Sequence, residues 1–238
     1  MPSKLLIVIP AYNEKDNLSY VINDIKQYCP SHDYLIVNDG STDGTAEFCL
    51  ENGYSFLDLP INLGLAGAFQ AGMIYAYING YSGVMQFDGD GQHKAEYIES
   101  LVDRWQEGFD IVIGSRFLKE KKPFNLRMIG SHLITFAIRL TTKTAICDPT
   151  SGMRIFSRGI IEKYAKEINF TPEPDTLAYL LRSGAKVSEV AITVDERKSG
   201  RSYLTLIRSI IYMVQITFSI LLIQWFRKKE VIRKGNND

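Results

Sequence analysis

Leu5-Leu6-Ile7-Val8-Ile9-Pro10-Ala11-Tyr12-Asn13-Glu14 decides the fold. Five apolar residues run without a break, then stop at a proline and a polar cluster. A strand buried on both faces reads this way, with a loop at its carboxyl end that carries polar groups. The run is too short for the core of a signal peptide, so it is read as a first strand and the body is expected in the cytoplasm. The same unit recurs downstream. Apolar runs at 34–37, 55–59, 84–87, 110–113, 155–156 and 187–194 read as strands. Helical patterns at 17–28, 45–52, 64–79, 95–107, 126–142, 160–166 and 175–183 lie between or beside them. Alternating strands and helices mean an α/β fold, Rossmann-like, with a mostly parallel sheet flanked by helices. Ligands bind such sheets at the carboxyl ends of the strands. Tyr12 and Glu14, Asp39, Asp88 and Asp90, and Ser115 and Arg116 all fall there, which marks one site.

The chain has 238 residues, enough for one domain, or a domain and a tail, with a core that needs no staple. Apolar residues are 45% and charged residues 23%, which excludes disorder, collagen and a pure coiled coil. Cys29, Cys49 and Cys147 are scattered, with no Cys-x-x-Cys. That excludes a disulfide framework and a cysteine zinc cluster and fits a reducing compartment. The zero net charge hides a split. Residues 197–238 hold nine Lys/Arg against two Asp/Glu, and residues 1–196 hold 18 against 25. No nucleic-acid partner is expected. A basic tail on an acidic body fits an anionic membrane surface or an acidic partner.

The chain divides at about residue 200. Residues 1–200 form the α/β domain, and residues 201–238 form a basic, amphipathic, membrane-associating segment. Residues 209–226 carry no charge and reach the lower limit for spanning a bilayer. Arg208, Tyr212, Gln215 and Ser219 nevertheless draw a polar stripe along one helical face. Trp225-Phe226-Arg227-Lys228-Lys229 has the composition of an interfacial anchor. An interfacial helix is the favoured reading. A core helix, or a tilted span whose polar stripe meets a partner helix, is the alternative. Residues 126–142 show one apolar face made of Leu126, Ile129, Leu133, Phe136, Ala137 and Leu140.

The chemistry concentrates in Asp88-Gly89-Asp90-Gly91-Gln92. Two carboxylates separated by one residue, with an amide oxygen two further on, suit a hard divalent ion, Mg²⁺ or Mn²⁺. An Asp/Gly-rich turn is the plain alternative. His93 is either a further ligand or a local hydrogen-bond partner. Asp39, in Asp39-Gly40-Ser41-Thr42-Asp43-Gly44-Thr45, can accept an N–H from a nucleobase. Asp43 caps the following helix. No Gly-x-x-x-x-Gly-Lys-Ser/Thr loop occurs, and Gly64, Gly67 and Gly72 make no dinucleotide fingerprint. These small residues, with Ala66, Ala68 and Ala71, suit close packing of a helix on the sheet. Arg154 is a candidate buried partner of Asp148.

Taken in order, Pro10 to Glu14, Val37 to Thr45, Asn62-Leu63-Gly64, Asp88 to His93 and Gly114-Ser115-Arg116 resemble the family 2 glycosyltransferases of the GT-A fold. Asp148-Pro149-Thr150-Ser151-Gly152-Met153-Arg154 and Arg197-Lys198-Ser199-Gly200-Arg201-Ser202 are similar to the dolichol-phosphate mannose synthase and polyprenyl-phosphate sugar transferase branch. The resemblance implies that Pro10, Tyr12, Glu14, Val37 and Asp39 hold the nucleoside. It implies that Asp88, Gly89 and Asp90 meet the diphosphate, with Asp88, Asp90 and Gln92 on the metal. Arg116 and Arg127 would approach the acceptor phosphate, and Arg197 the donor diphosphate. The branch often reads Gly-x-Ser-Lys, whereas Tyr203 follows Ser202 here, which leaves Arg201 or Lys198 to substitute.

The implied reaction is inverting, metal-dependent transfer of a hexose from a nucleoside-diphosphate sugar to a polyprenyl phosphate, at the cytoplasmic face of the membrane. A UDP-sugar is set ahead of GDP-mannose. The alternative acceptor is a hydroxyl of a lipid-linked glycan or cell-surface polysaccharide, with Glu173 or Asp175 as base. A small membrane protein and a homo-oligomer are the partners the sequence leaves open.

Overall fold

The computed structural model describes residues 4–119, 122, 126–167, 170–195, 206–223 and 226–227, with the side chains of 126, 127, 206–210 and 223 outside that description. Arg197, the loop around it and most of the basic tail therefore lie outside the described residues. The elements in order are β1 (Leu5–Ala11), α1 (Lys15–Tyr28), β2 (Asp33–Asp39), α2 (Thr45–Glu51), β3 (Phe56–Leu59) and α3 (Gly64–Ile78). Then come β4 (Gly83–Gln86), a 3₁₀ turn (Ala95–Tyr97), α4 (Ile98–Gln106), β5 (Ile111–Ser115) and α5 (Leu126–Thr142). The chain continues through β6 (Arg154–Ser157), α6 (Arg158–Lys166), α7 (Pro174–Arg182), β7 (Val187–Ala191) and α8 (Leu206–Phe218), which ends in a π turn (Ser219–Ile223).

The seven strands form one sheet in the order β3-β2-β1-β4-β6-β5-β7. β1 pairs in parallel with β2 and β4, β2 with β3, and β5 with β7. β6 alone runs backwards, antiparallel to both β4 and β5. The expected mostly parallel sheet is present, and the reversal has a consequence for the site. Because β6 points the other way, its amino end lies beside the carboxyl ends of β4 and β5. Residues 148–153, which lead into β6, are thereby delivered to the edge where Asp88, Asp90 and Arg116 emerge.

Both faces of the sheet are covered. Leu6 and Val8 of β1 face a core with Phe69, Phe156, Tyr164, Leu177 and Ile220. Leu5, Ile7 and Ile9 face the opposite core with Leu18, Ile22, Leu101 and Trp105. This alternation is the two-residue period of a strand with apolar layers on each side. Each such side chain, fully buried, contributes about 1.5–3 kcal/mol. The small-residue helix packs as its composition predicts. A Cβ at Gly72 of α3 would run into Val8 of β1, so the helix lies directly on the central strand. The carboxyl end of α3 is closed by Arg158 of α6. Its guanidinium donates to the Ala76, Tyr77 and Tyr81 carbonyls at 3.1–3.4 Å and stacks 4.5 Å from the Tyr77 ring.

Two helices differ from their sequence pattern in orientation. The apolar side of α5 splits. Ile134, Ala137 and Ile138 are buried, whereas Ile129, Leu133, Phe136 and Leu140 are 39–65% exposed. α8 packs beside α5, and a Cβ at Gly130 would collide with Met213. Of the polar stripe, Tyr212 turns inward onto Glu173 and Ser219 donates to Asp175 at 2.8 Å, while Gln215 is exposed and the Arg208 side chain is not described. The segment expected at 95–107 divides into the 3₁₀ turn and α4, and β7 stops at Ala191, short of Val194. Among the described residues, no helix is long and apolar enough to cross a membrane.

Candidate active site

The loops after β1, β2 and β4 meet over one cavity of about 430 Å³. Pro10, Tyr12, Glu14, Asp39, Asp88, Gly89 and Asp90 all line it, joined by Asn62, Gly64, Leu65 and Ala68. Seven residues singled out from sequence thus converge on one volume. Two others lie elsewhere. Val37 is fully buried within β2 and belongs to the core. Gln92 is not part of the lining. Its side-chain amide donates to the Asp195 carbonyl at 3.2 Å and its own carbonyl accepts the Asp195 N–H at 2.9 Å, which ties the carboxylate loop to the chain after β7.

The first two loops are stitched to each other. The Asn13 N–H donates to Ser41 Oγ at 2.9 Å, and Asn13 Oδ1 accepts the Thr42 N–H at 2.8 Å. Asn13 holds φ at 56°, a left-handed conformation its short polar side chain tolerates. Ser41 in turn donates to Asn38 at 2.5 Å. Asp39 is 3% exposed and accepts the Leu63 N–H at 2.7 Å through Oδ1, which fixes the carboxylate at the cavity wall. Gly40 makes this approach feasible. Its φ is +64°, and a Cβ would come within 2.7 Å of the Ile61 and Asn62 backbone. Asp43 accepts the Thr45 N–H at 3.0 Å just before α2, but the residue at the cap position is Gly44, in the left-handed region, so the cap expected of Asp43 falls one residue later.

The carboxylates at the end of β4 are differently held. Asp90 Oδ1 accepts the Gln92 N–H at 3.1 Å within the turn. Asp88 Oδ2 meets His93 Nε2 at 3.3 Å, and the His93 ring lies 5.8 Å from that of Phe87. His93 is therefore the local partner of Asp88. Burial pushes the Asp88 carboxyl up, but the His93 hydrogen bond, with Gln86 and the Arg154 charge behind it, outweighs burial and holds Asp88 below its ordinary value. On its other side, Asp88 rests on Gly152, where a Cβ would overlap its carboxylate. Hard, anionic oxygen donors at the cavity edge fit Mg²⁺ or Mn²⁺. Among the described residues, no three His, Cys, Asp or Glu side chains cluster around one point. The protein would supply the two Asp carboxylates, and water and diphosphate oxygens the rest.

Beside this lies a basic centre. Arg116 donates to both oxygens of Asp148, from Nε at 2.6 Å and Nη2 at 2.8 Å, and Nη2 also reaches Thr150 at 3.2 Å. Asp148 is fully buried and additionally accepts the Arg116 N–H at 3.1 Å. Burial pushes the Asp148 carboxyl up, yet the Arg116 guanidinium more than offsets it and holds the group low. Nη1 of Arg116 takes no part in these bonds. Lys122, whose role the sequence does not announce, donates to Ser131 at 2.8 Å and Thr135 at 3.1 Å. Lys122 and Arg116 lie 5.1 and 5.2 Å from the same Phe117 ring. Burial, with Arg116 nearby, pushes the Lys122 ammonium down. The side chain of Arg127, at the start of α5, is outside the described residues.

Arg154 does not pair with Asp148. Its Nη2 donates to the Pro149 carbonyl at 2.6 Å and Nη1 to the Pro172 carbonyl at 3.2 Å, because Arg116 already occupies both Asp148 oxygens. Glu173 and Asp175, the candidate bases, open α7 beneath α8. Burial pushes the Glu173 carboxyl up, against the Arg154 charge, and Tyr212 occupies it. Neither lines the cavity.

A family model described as glycosyl transferase family 2 matches residues 6–165. A polyprenol monophosphomannose synthase of Mycolicibacterium smegmatis is 30% identical over 84% of this chain and 80% of its own length. An undecaprenyl-phosphate mannosyltransferase of Micrococcus luteus is 28% identical over 84% of this chain and 86% of its own. Among solved structures, glucosyl-3-phosphoglycerate synthase from Mycobacterium tuberculosis, with Mn²⁺ and uridine-diphosphate-glucose, aligns over 94% of this chain and 79% of that one. Its TM-score is 0.69 and its identity 18%, a likeness of fold.

Proposed function

The chain belongs to glycosyl transferase family 2, and from that membership we propose that it transfers a hexose from a nucleoside-diphosphate sugar to a polyprenyl phosphate, with inversion at the anomeric carbon. The observation that carries this reading is the single cavity joining Asp39 to the Asp88/Asp90 pair, with the Arg116 centre next to it. Tyr12 and Glu14 bound the nucleoside end. Asp39 Oδ2 is the acceptor for a base N–H, since Oδ1 already holds Leu63. A divalent ion on Asp88 and Asp90 would offset the negative charge that builds on the leaving diphosphate. Gln92, held by the Asp195 segment, steadies the turn that carries these carboxylates rather than entering the cavity. Arg197 is proposed at the diphosphate.

A phosphate acceptor is already anionic near neutrality, with a second pKa of about 6. It needs orientation and desolvation, and no strong base. Arg116 Nη1 and the Lys122 ammonium supply positive charge there, and Arg127 is proposed to join them. The hydroxyl alternative is less well supported, because Glu173 and Asp175 are engaged by α8 and stand off the cavity. The relatives named for polyprenyl and undecaprenyl phosphates support the same acceptor class. The proposed location is the cytoplasmic face of a membrane.

The test is a transfer assay. Detergent-purified protein with Mg²⁺ or Mn²⁺ is given radiolabelled UDP-glucose, UDP-N-acetylglucosamine and GDP-mannose in parallel, with undecaprenyl phosphate as acceptor. Label from one donor entering the organic phase in an acid-labile link is the expected result and identifies the sugar. Label that enters only when a glycan hydroxyl is offered would replace the phosphate acceptor with the alternative. Asp90→Ala is expected to abolish metal-dependent transfer with the fold intact by circular dichroism. Wild-type turnover in that variant would remove the metal assignment.

A further inference from the structure

A carboxylate has about four acceptor sites, and at Asp148 all are taken. Arg116 fills three of them, from Nε, Nη2 and its backbone N–H, and the Thr150 hydroxyl takes the fourth at 3.2 Å. These bonds hold Arg116 and Asp148 to each other, but they do not fix where the pair stands. That depends on the backbone at Asp148, which lies in the linker between α5 and β6, outside any helix or strand. Glu189 of β7 holds that backbone. Its Oε2 accepts the Cys147 N–H at 2.8 Å and its Oε1 the Asp148 N–H at 2.9 Å. The two oxygens of one carboxylate thus grip two adjacent amides, a contact with a fixed direction. The Cys147 thiol bonds to Glu189 as well. The register explains the reach. β7 lies parallel to β5, with Glu189 opposite Ile113 and Ala191 opposite Ser115, and Arg116 follows Ser115 directly. Glu is depleted in strands, so its place at the middle of β7 is explained by this grip and not by strand formation.

We propose that Glu189 is a positioning residue for the acceptor phosphate: through the Asp148 backbone it sets where the Arg116 guanidinium stands, and with it the direction of the Nη1 that the Asp148 bonds leave over. This rests on the reading above, in which Arg116 meets that phosphate. Glu189 itself touches no substrate. The line of contacts runs from its carboxylate to the Asp148 amide, then from the Asp148 side chain to the guanidinium. A neutral amide of the same size cannot copy the grip. Gln has one acceptor oxygen, and its NH2 group would face the second N–H. The sign of the effect separates position from charge. Glu189 is an anion close enough to Lys122 to act on its ammonium. Removing that anion makes the basic centre more positive, so charge alone would tighten the hold on a phosphate. A displaced guanidinium would loosen it.

The experiment is calorimetric titration of the full-length protein with geranyl phosphate, a short, water-soluble polyprenyl phosphate. The wild type is compared with Glu189→Gln, Arg116→Lys and the double variant, and thermal unfolding checks that each fold is kept. Glu189→Gln is expected to weaken binding about tenfold, the scale of one hydrogen bond to a charged group. Its KM for the sugar donor in the transfer assay is expected to stay within about twofold of the wild type. In the Arg116→Lys background the same change is expected to cost less than about twofold, because the guanidinium it places is gone. Equal losses in the two backgrounds, or a donor KM that rises in step with the acceptor's, would mean a general loosening and overturn the proposal. So would a Glu189→Gln variant that binds as well as the wild type or better. Glu189→Asp keeps the charge, shortens the reach and is expected to lose as much as Gln; full binding there would assign the effect to charge. A wild type that binds no geranyl phosphate yet keeps its donor would overturn the acceptor reading itself. That failure is distinct from a wild type that binds it without regard to Glu189.

Discussion

Asp88 shows how much of this site is decided one side chain at a time. His93 holds one oxygen and Gly152 leaves the space for both. Gly152→Ala adds one methyl where the carboxylate stands, at a residue with no left-handed backbone to strain. The expected result is a loss of about 100-fold in turnover, the scale of an ångström's misplacement, with a thermal midpoint lowered by only a few degrees. Steady-state kinetics and a melting curve on one preparation check both halves. Asp148→Asn should be different in kind. It leaves Arg116 without its charge partner and is expected to cost about 3 kcal/mol in denaturant unfolding. Asp148 has a folded pKa below its unfolded one, so its contribution is present above an unfolded value of about 3.9 and is lost as pH falls through the folded one. Between neutral pH and pH 3 the wild type should therefore lose more stability than the Asn variant.

Five residues of the cavity were legible because each lies at or just past the carboxyl end of a strand, so local pattern alone placed Tyr12, Glu14, Asp39, Asp88 and Asp90. Arg116 was marked by its place just past the end of β5, but its partner was not legible. Asp148 lies 32 residues away, and nothing local distinguishes Arg116 from Arg154 as the arginine that reaches it. Gly152 and Lys122 carry roles that exist only through neighbours brought in by other strands and helices.

At the scale of the element, the helices were found and their facing was not always. The apolar stripe of α5 has the right period, but period does not say which medium the stripe meets. Buried Ile134 and Ile138 and exposed Leu133 and Phe136 differ only in what lies opposite them. The polar stripe of α8 was visible as a stripe, while its inward turn depends on Glu173 and Asp175, more than 30 residues earlier. The end of α3 offers a cleaner test of element-level bonding. Its last carbonyls lack intrahelical partners, and Arg158 supplies charged donors to them. Arg158→Met keeps much of the contact with Tyr77 and removes those donors. A loss of about 2 kcal/mol in denaturant unfolding is expected, with the donor affinity unchanged.

Across the whole molecule, the buried thiols report how well the core on the Leu5, Ile7 and Ile9 side of the sheet excludes water. Burial pushes Cys29 up to about 12 and Cys49 up to about 11. Both should resist a thiol reagent at pH 8 in the native state, with Cys147, which is half-buried, the one that reacts. All three should react in denaturant. Because the folded pKa values of Cys29 and Cys49 lie above the unfolded value of about 8.5, their stabilising effect is full below that value. It fades as pH rises towards 11 and 12, so alkaline unfolding should begin in this window. Layer order and the predominance of parallel pairing were legible at this scale, because alternating patterns imply them. The direction of β6 was not, since a two-residue apolar run carries no sign of direction.

That reversed strand also sets a timetable for the newborn chain. Among the described residues, β6 is the only bridge between β1–β4 and the β5–β7 pair. When Ser115 leaves the ribosome, β4 and β5 exist as separate open edges, and the strand that joins them is still about 40 residues from completion. At roughly 5–20 residues per second this gap lasts about 2–8 s. During that interval the half-sheet offers unpaired backbone to any passing strand. A chaperone that recognises exposed edges would meet this protein at one defined length.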